Sequence, residues 1–225
     1  MMFARRFLLV FALTFCVFGL PVVAQSATLG TFDRWYGSYI GNFGEVNTAT
    51  YGQIVSNPTS IYADRISFYL DDIPGDDFVD FQLMIGSWGG SAMTELLWES
   101  PAYATTNNGG LDGFERFDMS VDHVLLNGGT EYIIFLTASN LFDGLDGRAH
   151  VGTTTGSGFV FFSNRDDFSL LYSDWDTFFI GRSLAYEIEY TPAGQVVTPE
   201  PSTFILLCAG LLGLIGLGRK RFTEK

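Results

Sequence analysis

Carboxylates dominate the side chains of this sequence that could do chemistry. Asp71, Asp72, Asp76 and Asp77 flank a Pro74-Gly75 turn, and Asp143 and Asp146 flank a second Gly-rich turn. Loop carboxylates are the ligands calcium prefers, so these six are the candidate positions for calcium, and calcium is the one cofactor the sequence suggests. Neither loop carries the twelve-residue EF-hand pattern or the Gly-Gly-x-Gly-x-Asp repeat, and solvated acidic turns are the simpler account of both. Paired carboxylates also hydrolyse glycosides, but in so acidic a chain some pair falls at a workable distance by accident. A carboxylate-dependent hydrolase is therefore the weakest reading of these acids.

Other catalytic signatures are missing for stated reasons. A phosphate-binding loop needs Gly-Lys, and there is no Lys between residues 25 and 198. A zinc-protease helix needs His-Glu-x-x-His, whereas His123 and His150 are each followed by Val in strand-like surroundings. Gly181-Arg182-Ser183-Leu184-Ala185 lacks the second Gly of a nucleophile elbow and leads into a strand instead of a helix. Sugar-binding sandwiches stack Trp or Tyr faces on pyranose rings. Trp35 and Trp175 are the candidates for such stacking, drawn from a pool that includes Tyr36, Tyr39, Trp88 and Trp98. Trp175 stands out because Asp174 and Asp176 flank it and make full burial awkward.

The elements that must position these residues have period two. Ile66, Phe68 and Leu70 alternate with Arg65, Ser67 and Tyr69; Val79, Phe81, Leu83 and Ile85 alternate with Asp80, Gln82 and Met84; Leu184, Tyr186, Ile188 and Tyr190 alternate with Ala185, Glu187 and Glu189. Residues 132–138 are apolar on both faces, as a central strand would be. Gly, Asn and Asp clusters separate the runs. Eight to ten short strands so punctuated predict an all-β fold, an antiparallel β-sandwich of jelly-roll type spanning residues 28–194. The best helical window, residues 92–99, reads equally as one or two turns or as a strand.

Charge and cysteine sort by position. The chain has 225 residues, 12 Lys+Arg against 25 Asp+Glu, and a formal charge of −13. Six of the basic residues lie in the end segments, and of the acids only Glu200 and Glu224 do, so residues 25–198 hold six Arg, no Lys and 23 acids, a formal −17. Such a surface excludes nucleic acid as a partner. Cys16 and Cys208 both lie in the ends, which leaves the central region without a disulfide or a thiolate metal site.

The ends are addresses. Arg5 and Arg6 precede the apolar residues 7–20, and Val22-Val23-Ala24 puts small side chains at −3 and −1, so residues 1–24 read as a signal peptide for the general secretory translocon, with Ala27 as the later alternative cleavage position. At the other end, residues 195–225 run through Pro199-Glu200-Pro201-Ser202, a Gly-spaced apolar stretch that predicts a transmembrane helix over about 203–218, and Arg219-Lys220-Arg221. The prolines keep Glu200 extended and the basic triplet stays cytoplasmic, which places the sandwich on the outer side.

This tripartite end resembles the PEP-CTERM sorting signal of Gram-negative bacteria, in Pro199-Glu200-Pro201, in the helix through Gly210, Gly213, Gly216 and Gly218, and in the Arg-Lys-Arg cluster. The tail at residues 222–225 departs from members that stop at the basic residues. The resemblance implies recognition by an exosortase, a membrane cysteine transpeptidase, with Pro199, Glu200, Pro201 and Ser202 presenting the cleavage site and Arg219, Lys220 and Arg221 setting orientation. It also implies transient residence in the inner membrane, then the cell envelope, outer surface or matrix, in a setting of exopolysaccharide and biofilm. The expectation is a non-enzymatic structural or adhesive protein. The alternative is a calcium-assisted carbohydrate-binding module.

Overall fold

The computed structural model describes residues 26–45, 48–106, 113–162, 166–177 and 179–194. The expected signal peptide and transmembrane helix, together with Pro199-Glu200-Pro201-Ser202 and Arg219-Lys220-Arg221, lie outside the described residues. Among those described, no helix is long and apolar enough to cross a membrane.

Residues 26–193 group as one compact unit built from two antiparallel sheets. In the first, β4 (Ile61–Asp72) is flanked by β8 (Glu115–Leu126) on one side and by β13 (Tyr186–Pro192) and β10 (Arg148–Thr155) on the other; β1 (Ala27–Gly30) pairs with β13, while β2 (Tyr39–Gly44) and β12 (Arg182–Leu184) pair with β10. The second runs β11 (Phe159–Phe162), β3 (Thr50–Ser56), β9 (Glu131–Thr137), β5 (Asp80–Trp88), β6 (Met93–Glu99), with β7 (Tyr103–Ala104) beside β5. In the ambiguous window at residues 92–99, Met93–Glu99 is strand. It sits beside β5 with most of its residues only partly covered, so neither face carries a clear apolar period.

Alternation becomes burial as expected. Ile66, Phe68, Leu70, Phe81, Leu83, Ile85, Leu184 and Ile188 are all fully buried between the sheets. Each such side chain contributes about 1.5–3 kcal/mol of transfer free energy. The double-sided β9 has a specific cause: Ile134 and Leu136 face the inter-sheet core, whereas Ile133 and Phe135 enter a second cluster with Met84, Trp88, Met93, Val160, Leu171 and Trp175. A turn of 3-10 helix at Phe168–Tyr172 and the chain after it provide the lid of that cluster on the outer face of the second sheet.

His123 marks a bulge. Three residues of β8, numbers 121–123, stand opposite the single Asp64 of β4, and His123 takes φ +54°. Its ring lies flat on Tyr62 at 4.2 Å, with Nδ1 2.6 Å from Asp64 Oδ1. Asp64 also accepts from the Thr191 hydroxyl. Histidine is among the side chains enriched in this left-handed region, and a β-branched residue there is strained. His123→Val is expected to cost about 1–2 kcal/mol more in a urea titration than His123→Gly. Equal losses would mean that the ring contacts, not the backbone, hold the bulge.

Candidate functional site

The two acidic turns, distant in sequence, meet at one corner of the sandwich. The end of β2 abuts the second turn closely: a Cβ on Gly44 would lie 2.2 Å from the Gly147 carbonyl oxygen, and Glu45 N donates to that oxygen at 2.9 Å. Asp77 N donates to Asp146 O at 3.1 Å, and Arg148 makes a two-pronged ion pair with Asp76, at 2.6 and 3.1 Å. Asp143 Oδ1 accepts from Leu145 N within its own turn. Glu45, which sequence reasoning passed over, is 6% exposed. Burial, then the charges of Asp143, Asp77 and Asp80, push its carboxyl up from 4.5 to about 7, against the opposing pull of a hydrogen bond from the Asp143 backbone.

The six aspartates do not form one ligand set. Asp71 faces outward, 3.5 Å from His150 Nδ1, whereas its neighbour Asp72 is fully buried on the other face of β4, as strand alternation requires. Asp76 is committed to Arg148. Asp77 and Asp143 gather around Glu45, and Asp146 offers its backbone carbonyl to Asp77. Among the described residues, no group of three or more His, Cys, Asp or Glu is placed to hold a metal ion.

The aromatic candidates separate. Trp35 stacks on Tyr69 of β4 with ring centroids 4.1 Å apart and planes 16° apart, takes the edge of Phe114 at 5.2 Å, and donates its ring N–H to Ser38 O. Gly152 of β10 lets it lie close, because a Cβ there would approach Trp35 Nε1 at 3.2 Å. Tyr39, half exposed, leans on His150 at 4.2 Å, and Tyr36 is 90% exposed. Arg116 caps the far end over Phe32 while pairing with Asp118 and Glu187. The surroundings of Trp35 are therefore an aromatic ledge.

Trp175, by contrast, does not present a face to solvent. It is 4% exposed, donates Nε1–H to Leu171 O at 2.8 Å, and meets Trp88 and Phe135 edge to face. The flanking acids stay outside, Asp174 accepting from the Ser91 hydroxyl, so burial of the ring costs them nothing. Trp88 is buried and Trp98 partly so. Ser183 is buried too, its hydroxyl 3.0 Å from Gln53 Oε1, far from the exposure a nucleophile elbow demands.

Fold and C-terminal motif together define a class: an acidic two-sheet sandwich followed by a sorting signal that implies export toward the cell envelope. Within it, residues 197–221 match the PEP-CTERM protein-sorting motif, and the chain is consistent with a PEP-CTERM sorting domain protein. That motif marks the chain for export and implies exosortase as its processing partner. No curated protein matches the chain. Among solved structures it is similar to those of the infectious bursal disease virus Gt and Gx strains, each at 12% identity and a TM-score of 0.28, covering 89% of this chain and 51% and 49% of theirs. The chain spans about half the length of those chains.

Proposed function

We propose that the sandwich is a non-enzymatic structural or adhesive protein of the exopolysaccharide or biofilm matrix. It passes through the secretory translocon, is held briefly in the inner membrane by residues 203–218, and is processed by the exosortase at Pro199-Glu200-Pro201. The observation that carries this reading is the sorting motif at residues 197–221. Signal cleavage after Ala24 suits the sandwich better than cleavage after Ala27, since Ala27 pairs with Tyr190 and the Ser26 hydroxyl donates to Glu189.

Reversing the charge of Arg219, Lys220 and Arg221 is expected to spoil topology by the positive-inside rule and to abolish processing. Intact-mass analysis of the exported protein checks both points: wild type should lack residues 204–225, and the reversed variant should accumulate unprocessed. Wild type that keeps that segment, or normal processing of the variant, contradicts the sorting mechanism.

A second reading, calcium-assisted carbohydrate binding, draws on the acid corner around Glu45 and on the Trp35–Tyr69 ledge. Retention on a panel of polysaccharides that is lost in EDTA supports it. Retention on none of them favours the scaffold.

A further inference from the structure

Where the two sheets part, a cleft of about 560 Å³ opens between the turn after β10 and the start of β13, within the size range of small-molecule sites. Its floor is fixed. Gln53 Oε1 accepts from Leu184 N and lies by the Ser183 hydroxyl, while Nε2 donates to Ile54 O and Ser157 O, so one amide ties both sheets together with every polar atom in use. Gly158, at φ +88°, is required there because a Cβ would lie 2.5 Å from Gln53 Nε2. Thr31 is equally committed, donating to Leu184 O and accepting from Tyr186 N.

Two groups in the cleft are not committed in this way. Tyr186 is 9% exposed, yet its phenol makes no hydrogen bond to another described residue. The hydroxyl oxygen is not itself buried, so it is open to water and to whatever enters the cleft. Arg34 also lines the cleft, with its side chain half exposed and only a loose 3.9 Å contact to the neighbouring Asp33. Its charge reaches the Tyr186 phenol, opposing part of the upward push that burial exerts on that group. A guanidinium and a phenol O–H lining one cleft form a donor set for a carboxylate. Glu131, an acceptor, lines the same cleft beside Ser56, three strand residues or about 10 Å along β3 from Gln53. A carboxylate at the Arg34 end and hydroxyls at the Glu131 end satisfy both. Arg34 is the one cation among the described residues that line the cleft, so the site engages one carboxylate at a time.

We propose that this cleft binds a small hydroxylated carboxylate, a sugar acid of the uronic type, with its carboxylate on Arg34 and the Tyr186 hydroxyl and its hydroxyls toward Ser157 and Glu131. The ligand arrives either as a free sugar acid or as a residue of an acidic polysaccharide. The second source rests on the matrix role proposed above; the chemistry of the site does not.

Calorimetric titration of the purified full-length protein in detergent with glucuronate, with galacturonate oligomers and with neutral glucose oligomers tests the proposal. Wild type is expected to bind at least one of the acidic ligands about 10-fold or more tightly than the neutral ones, since a hydrogen bond to a charged group is at stake. Tyr186→Phe, which removes one oxygen from the site, should weaken that binding about 10-fold with an unchanged thermal midpoint, and Arg34→Gln should erase the preference for acid over neutral. Equal affinity for neutral sugars, no binding to either acid, or full affinity in Tyr186→Phe would overturn the site. Binding of glucuronate with exclusion of every oligomer would leave the site standing and count against the matrix role.

Discussion

Trp175→Ala is expected to lower the unfolding free energy by about 3–5 kcal/mol, the range for removing a large aromatic from a packed interior. Domains of this kind have only about 5–15 kcal/mol in hand, so the variant should unfold at a much lower urea concentration and express poorly. The size of the effect follows from what the ring holds. It fills the centre of the cluster outside the second sheet, edge-on to Trp88 at 6.1 Å and Phe135 at 5.3 Å, and its N–H ties back to Leu171 O. Its backbone N–H donates to Ser91 O, joining the covering segment to the β5–β6 turn. Without the ring, Ile133 and Phe135 on the outer face of β9 lose their cover. Gly52 belongs to the same contact, since a Cβ there would lie 2.9 Å from both Ile133 Cδ1 and Trp175 Cζ3. A cost below about 1 kcal/mol, the level of ordinary surface substitutions, would mean that Trp175 is a surface residue after all. Trp35→Ala is the comparison, because its stack on Tyr69 is worth about 0.5–1.5 kcal/mol beyond the area it covers.

The contrast between these two tryptophans indicates what a sequence of this kind reveals. On the alternating strands periodicity named the side chains that face the core: Ile66, Phe68 and Leu70 are inside and Arg65 outside, whereas the intervening Ser67, Met84 and Ala185 are buried as well. The double-sided run at residues 132–138 was legible as a central strand, but not what covers its second face. That cover is a short 3-10 turn and irregular chain, which has no period to detect, and its anchor Trp175 sits between two acids whose exposure says nothing about the ring. The candidate sites were less legible for a different reason. Glu45 comes near Asp77, Asp80 and Asp143 only because β2 pairs with β10, and Arg34 lines the same cleft as Tyr186 only because β1 pairs with β13. Local composition located the acidic turns; it held no sign that they share a corner, nor that Arg148 takes Asp76 out of the set. The sorting motif at residues 197–221 was legible, since its meaning lies in linear order and not in a folded arrangement.

Glu45→Gln is expected to stabilise the protein at pH 8 and to leave it nearly unchanged at pH 4. In the fold this carboxyl holds its proton up to about 7, against an unfolded value near 4.5, so between those limits the folded state binds more protons than the unfolded one and stability falls as pH rises. The full penalty, at most about 3 kcal/mol, is present above pH 7 and absent below about 4.5. Glutamine keeps the acceptor that the Asp143 backbone uses but carries no charge, and so it removes the penalty. Asp118 works in the opposite direction: burial alone would raise it, but hydrogen bonds from Ser67 and Arg116 hold it below its usual value, and its contribution is lost in strong acid. Wild type should therefore be most stable in mildly acidic solution, and Glu45→Gln should broaden that optimum upward past neutrality, measured as the urea midpoint against pH. A variant less stable than wild type at pH 8 would refute the assignment. The same titration with calcium carries the second functional reading, since a divalent cation at this corner would reverse the repulsion from Asp143, Asp77 and Asp80. Calcium that raises the wild-type midpoint at pH 8 and does nothing to Glu45→Gln places the ion beside Glu45; a wild-type midpoint indifferent to calcium removes it from the corner and leaves the charge repulsion as the whole cause.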